Sequence, residues 1–125
     1  MKKLKPADFK HLERMAPDAV AFFDSVLDQA GLAYRLTSDW RDPAANAAAS
    51  GSSPTSLHLS GRAIDLVLEP WNRETLWKFA AAVVTVAAKQ SFGVELELVS
   101  GPTDKHLHLG LFPDSRPSRL VLSLT

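Results

Sequence analysis

The chain contains no cysteine, so disulfide frameworks, thiolate zinc sites, iron–sulfur clusters and cysteine nucleophiles are all excluded. Any metal it binds must be held by His, Asp or Glu. It has no charge excess either. Lys and Arg number 14 and Asp and Glu 14, which leaves no overall field to attract a phosphate backbone, and no nucleic-acid partner is expected. Long hydrophobic runs are missing. The longest, Phe79 to Ala88, is interrupted by Thr85 and is too short to span a bilayer, so no membrane insertion is expected. The N-terminus, Met1-Lys2-Lys3-Leu4-Lys5, starts like the basic end of a signal peptide. Asp8, Lys10, His11, Glu13 and Arg14 then occupy the place of its apolar segment, so no export address is read and synthesis in the cytoplasm is expected. Internal repeats and low-complexity linkers are also lacking.

What is present is 125 residues, 46% of them hydrophobic, enough for one domain, 1–125, with a real core. Phe9, Leu12 and Met15, then Val20, Phe23, Val26 and Leu27, recur at helical spacing. Pro17 divides them into a short helix and a longer one that Gly31 ends. Leu32 to Trp40 alternates as a strand does. Asp42 to Thr55, with Pro43, Gly51, Pro54 and several Ser, reads as a loop with at most a short helical turn. Ala63 to Glu69 reads as a strand, and Asn72 is placed to cap a helix from Arg73 to about Ser91. Val94 to Val99 and Lys105 to Phe112 are further alternating strands around the turn Ser100 to Asp104, and Leu120 to Leu124 adds an edge strand. Helices first and an antiparallel sheet afterwards make the chain α+β.

Three of the 4 histidines lie in two short segments. His58 sits within Ser56-Leu-His-Leu-Ser-Gly-Arg-Ala-Ile-Asp65. His106 and His108, two residues apart on a strand, point to one face. Asp65 shares a face with Ala63 and Val67, where a carboxylate is costly unless it is paired or bound to a metal. Two imidazoles and a carboxylate with an open fourth position make a catalytic zinc arrangement. Each residue also has an ordinary reading. A His-x-His pair on an exposed strand is simply solvated, Asp65 pairs with Arg62 or Arg73, and Arg41 pairs with Asp39 or Asp42. His11, without a partner nearby in sequence, reads as solvated surface.

The combination Ser56-x-His58-x-x-Gly61-x-Ala63-x-Asp65, followed further on by His106-x-His108, resembles the zinc-site signature of the D-Ala-D-Ala carboxypeptidase and hedgehog superfamily, the zinc peptidases of bacterial cell walls. Thr37-Ser-Asp-Trp-Arg41, then Asn46 in the following loop, extends the resemblance upstream, and the order of elements fits from about Leu12 to Leu111. The resemblance implies an α+β fold whose small antiparallel sheet carries one zinc ion, with helices flanking it. It makes His58, Asp65 and His108 the metal ligands. His106 then lies beside the metal as general base, or as the imidazolium that stabilises the tetrahedral intermediate. Arg41 corresponds to the arginine that holds the substrate, a task that suits a planar guanidinium. Ser56 is placed to hydrogen-bond the substrate or the site, and Gly61 to allow the turn back to the ligand strand.

One position departs from the pattern. Several branches of the superfamily carry a catalytic Glu or Asp three residues before the last ligand histidine, where this chain has Lys105. Asp104, one residue further away, is placed to orient His106 or a ligand histidine. Glu95 and Glu97, on one face of the neighbouring strand, are the other candidates for the base. The implied activity is hydrolysis of amide bonds in peptidoglycan stem peptides, as carboxypeptidase or endopeptidase, by a zinc-activated water. The alternative is a non-catalytic zinc-containing module of the same fold that recognises cell-wall peptides or a protein partner. A monomer without a separate wall-binding domain is expected. Delivery to the wall would then follow a phage-type or other route that needs no signal peptide.

Overall fold

A computed structural model of the chain describes residues 1–49 and 53–124. Pro17 opens the first long helix, α1 (Pro17–Ala30), and Gly31 closes it in the left-handed region at φ 63°. Upstream, where helical spacing predicts a short helix, the chain forms two single 3₁₀ turns, Pro6–Asp8 and Leu12–Arg14. Neither is long enough to repay the cost of nucleating an α-helix. Strand β1 (Tyr34–Ser38) follows, then the short helix α2 (Pro43–Ala48), which Asp42 caps by accepting from the Ala45 amide at 2.7 Å. Gly51 of the expected loop lies outside the described residues. A 3₁₀ turn, Leu57–Ser60, leads into β2 (Ala63–Leu68).

Asn72 caps α3 (Arg73–Ala87) in a reciprocal box with Thr75. This helix stops short of Ser91. Gln90 bonds the main chain of Phe92 in both directions, at 2.7 Å each, and closes a turn there. Strands β3 (Val94–Ser100), β4 (Lys105–Leu111) and β5 (Arg119–Leu124) complete the sheet, in the order β1-β2-β4-β3-β5. The first four strands pair antiparallel, and β5 adds to β3 in parallel. Among the described residues no helix is long and apolar enough to cross a membrane.

Strict alternation sorts the sheet into two faces. Ile64, Leu66 and Leu68, Val94, Leu96 and Leu98, and Leu107, Leu109 and Leu111 are all buried in the cluster that α1 and α3 complete with Phe23, Val26, Leu27 and Phe79. Burying each of the large side chains contributes about 1.5–3 kcal/mol. The alternate residues, Asp65, Glu95, Glu97, His106 and His108, therefore share the opposite face.

Asp24, buried on α1, accepts from the amides of Lys2, Lys3 and Leu4 at 2.7–2.9 Å and ties the N-terminal segment to the core. Burial by itself would raise its pKa, but the three amide donors outweigh it and hold the carboxyl below its ordinary value. A depressed carboxyl stabilises the fold at pH values above its unfolded pKa of 3.8, and that contribution is lost as pH falls through the lower folded value. Asp24→Ala should cost roughly 1.5–3 kcal/mol at pH 7. In urea unfolding series the gap between wild type and variant should narrow below about pH 3.5. A gap that stays constant down to pH 2.5 would show that the carboxylate charge is not what holds the segment.

Candidate metal centre

His58 sits in the 3₁₀ turn Leu57–Ser60, and the chain after β1 clamps that turn in place. The Arg41 amide donates to the His58 carbonyl at 3.1 Å, and Trp40 Nε1 donates to the Leu59 carbonyl at 3.2 Å. His58 Nδ1 lies 2.6 Å from the Asp39 carbonyl. A carbonyl only accepts, so Nδ1 carries the proton and Nε2 is left with its lone pair. Ser56 accepts from the His58 amide at 3.2 Å and so caps the turn, while its residue still lines the groove above. Gly61 ends the turn at φ 68° and returns the chain to β2.

Antiparallel register sets Asp65 opposite His108. Asp65 Oδ1 stands 3.1 Å from His58 Nε2 and 3.0 Å from His108 Nδ1. The three ligand-type atoms lie within 4.8 Å of one another. Bonds of about 2 Å in tetrahedral geometry require ligand atoms roughly 3.3 Å apart, so the set has the dimensions of a zinc site. Its chemistry fits as well. His58 Nε2 and Asp65 Oδ1 are two electron-pair donors held face to face, an arrangement that requires a cation, either a proton or a metal, at that point.

The surrounding charges act in the same direction. Burial opposes the charged form of Asp65, but the hydrogen bond with His108 prevails and holds its carboxyl well below the usual range. Burial likewise pushes the His108 imidazole down, yet its bonds to Asp65 and Glu95 hold it up at about 9. Glu95 is lowered mainly by the bond with His108, against burial, with Arg119 assisting. Arg41 Nη2 donates to Asp65 Oδ2 at 2.7 Å and its Nε to Ser38 Oγ at 3.0 Å.

Several ordinary readings of single residues are replaced. Arg41 pairs with Asp65 rather than Asp39 or Asp42, and Arg62 makes a two-point contact with Asp18 rather than Asp65, at 2.8 and 3.0 Å. The β1–β2 pairing decides the first pair and the approach of α1 to the residue before β2 the second, and sequence proximity decides neither. His11 is not merely solvated. It is half-buried, donates from Nδ1 to Asp39 at 2.9 Å and packs edge-on against Trp40. Asp39, buried, also accepts from the Lys10 and His11 amides.

His106 lies on the same strand face as His108, and its Nδ1 is 2.8 Å from Asp104 Oδ1. Of the two candidate glutamates, Glu95 Oε1 meets His108 Nε2 at 2.6 Å, and Glu97 is held by Arg119. Two features escape sequence reasoning. The Asp39 contribution is a main-chain carbonyl with no residue signature. The Glu95–His108 contact needed the β3–β4 pairing, which the two alternating strands around one turn already suggested.

Arg41, Ser56, His58, Asp65, Asp104, His106 and His108 all line one polar groove of about 800 Å³ across the open face of the sheet. A protein-family model described as Peptidase M15 matches residues 4–97, a span that holds His58 and Asp65 and ends before His106 and His108. Among solved structures, the crystal structure of the Serratia marcescens L-Ala D-Glu endopeptidase ChiX aligns with a TM-score of 0.66 and 22% identity, covering 87% of this chain and 89% of that one. At that identity the likeness establishes the fold. No curated protein matches the chain.

Proposed function

Because the chain belongs to the Peptidase M15 family, we propose that it is a zinc-dependent peptidase that hydrolyses amide bonds in peptidoglycan stem peptides. The observation that carries this reading is the convergence of His58 Nε2, Asp65 Oδ1 and His108 Nδ1 on one point beneath the groove. The solved structure with the same fold is an L-Ala D-Glu endopeptidase, which supports a stem-peptide substrate and an endopeptidase cut over removal of a terminal D-Ala.

His58, Asp65 and His108 hold the metal. When bound, zinc supplies an acidified water and polarises the scissile carbonyl. His106 donates its Nδ1 proton to Asp104, which leaves Nε2 to take a proton from the attacking water and return it to the leaving amine. Arg41 lines the groove beside Asp65. There its guanidinium steadies the ligand carboxylate and offers donors to a substrate carboxylate, so that one carbonyl is aligned for attack. Ser56 holds the turn that carries His58.

The reading is tested by incubating zinc-loaded protein with purified peptidoglycan and soluble stem peptides, with and without chelator, and weighing the products. Chelator-sensitive separation between L-Ala and D-Glu is expected. Release of the C-terminal alanine with the L-Ala–D-Glu bond intact would make it a carboxypeptidase instead. A protein that holds one zinc and releases nothing would be the binding module. His106→Ala should keep the zinc and lose roughly 10²–10⁴-fold in rate. Full activity in that variant would remove His106 from the role of base.

A further inference from the structure

Each ligand imidazole has two nitrogens, and only one can face a metal. For His58 the main chain makes the choice, through the Asp39 carbonyl. For His108 a side chain does. Its ring lies between two carboxylates, with Nδ1 3.0 Å from Asp65 Oδ1 and Nε2 2.6 Å from Glu95 Oε1. A neutral ring has one N–H to give, and the shorter contact is the one to Glu95.

Glu95 is itself held from behind. Parallel pairing places Arg119 of β5 directly across from it, and Arg119 Nη1 donates to Glu95 Oε2 at 3.2 Å while also reaching Glu97. One carboxylate oxygen is thus turned outward to the guanidinium and the other inward to the ring. We propose that Glu95, steadied by Arg119, is a positioning residue that keeps the proton of His108 on Nε2 and so leaves Nδ1 to the metal. This rests on the reading of His58, Asp65 and His108 as zinc ligands, and gives β5 a function that its place at the sheet edge does not suggest.

The competing account is a surface ion pair. Arg119 is half-exposed, and such a pair by itself contributes little to stability. It does not account for Oε1, which points to the buried ring. A carboxylate behind a ligand histidine raises the basicity of the ligating nitrogen and fixes the ring's orientation, and its loss typically weakens metal binding by roughly 10–100-fold. Gln keeps an acceptor for Nε2–H but loses the charge, so it should rescue part of what Ala loses.

The test measures zinc dissociation constants, by competition with a chromophoric chelator, for wild type, Glu95→Ala, Glu95→Gln and Arg119→Ala. Thermal unfolding of the metal-free proteins and long-range ¹H–¹⁵N spectra of the His108 ring accompany it. Glu95→Ala should weaken zinc by roughly 10–100-fold and, in metal-free protein at a pH high enough to make the ring neutral, show both His108 tautomers. Glu95→Gln should lie between it and wild type, about threefold or more weaker. Arg119→Ala should lose less, in the same direction. Kd values in both Glu95 variants indistinguishable from wild type would overturn the proposal, as would a lower melting point with zinc affinity and tautomer unchanged. If Glu95→Ala does not fold, Glu95→Gln decides alone, and an unchanged Kd overturns it. Zinc binding without peptide cleavage by wild type would sink the proposed activity and leave this inference standing. No zinc binding by wild type would sink both.

Discussion

His58→Ala is expected to purify without zinc and to lose more than about 10⁴-fold in peptidase rate, the equivalent of about 5.5 kcal/mol of transition-state stabilisation. His58 is 1% exposed and held at both ring nitrogens, so no neighbouring side chain can move in to replace it. Its loss leaves Asp65 and His108 as two donors, one short of the three a catalytic zinc site needs. The variant should still fold. The bond lost to the Asp39 carbonyl costs about 1–3 kcal/mol, within the usual margin of a domain this size. Asp65→Asn separates the ligand role from packing, because it keeps the shape and removes the charge that Arg41, His58 and His108 share. Elemental analysis, circular dichroism and peptide cleavage on both variants decide the matter. One zinc per chain in His58→Ala, with a rate within tenfold of wild type, would remove this histidine from the metal centre.

Gly61→Ala is expected to be the most destabilising small substitution in the turn. At φ +68° an L-residue pays roughly 1–2 kcal/mol for the left-handed conformation. A Cβ there would also stand 2.1 Å from the Arg14 carbonyl oxygen and 2.9 Å from Met15 Cα, and both are main-chain atoms that cannot swing aside. The Gly61 carbonyl accepts the Ala16 amide at 2.9 Å, so the segment that must retreat is the one that enters α1. Gly31→Ala is the control. Gly31 has φ +63° with nothing within 4 Å of the added carbon, and its replacement should cost the conformational penalty alone. Gly61→Ala should therefore exceed Gly31→Ala by about 2 kcal/mol or more in metal-free unfolding. It should also weaken zinc binding, because His58 rides on the displaced turn. Equal costs for the two substitutions would show that the contact with Arg14 relaxes freely.

Much of this was decided locally. The two-residue period of Val94–Ser100 and Lys105–Leu111 put Leu on the core face and His106 and His108 together on the other, because side chains in a strand alternate whatever it pairs with. Pro17, Gly31 and Asn72 marked helix ends through their own backbone and capping chemistry. The proposed ligand set came from the resemblance of the Ser56–Asp65 and His106-x-His108 motifs to a zinc-peptidase signature, since residue types and spacing left ordinary readings open.

Pairing between distant segments was not local. That β5 joins β3 in parallel and that Arg41 reaches Asp65 across β1 and β2 depend on how segments far apart in sequence come together, whereas Glu95 meets His108 through the β3–β4 pairing around one turn. The burial that assembles the sheet and its helices is a property of the whole core, with no signature at any one position. The Asp39 carbonyl that orients His58 is the extreme case. Every residue carries that oxygen, and only the tertiary fold aims this one at an imidazole.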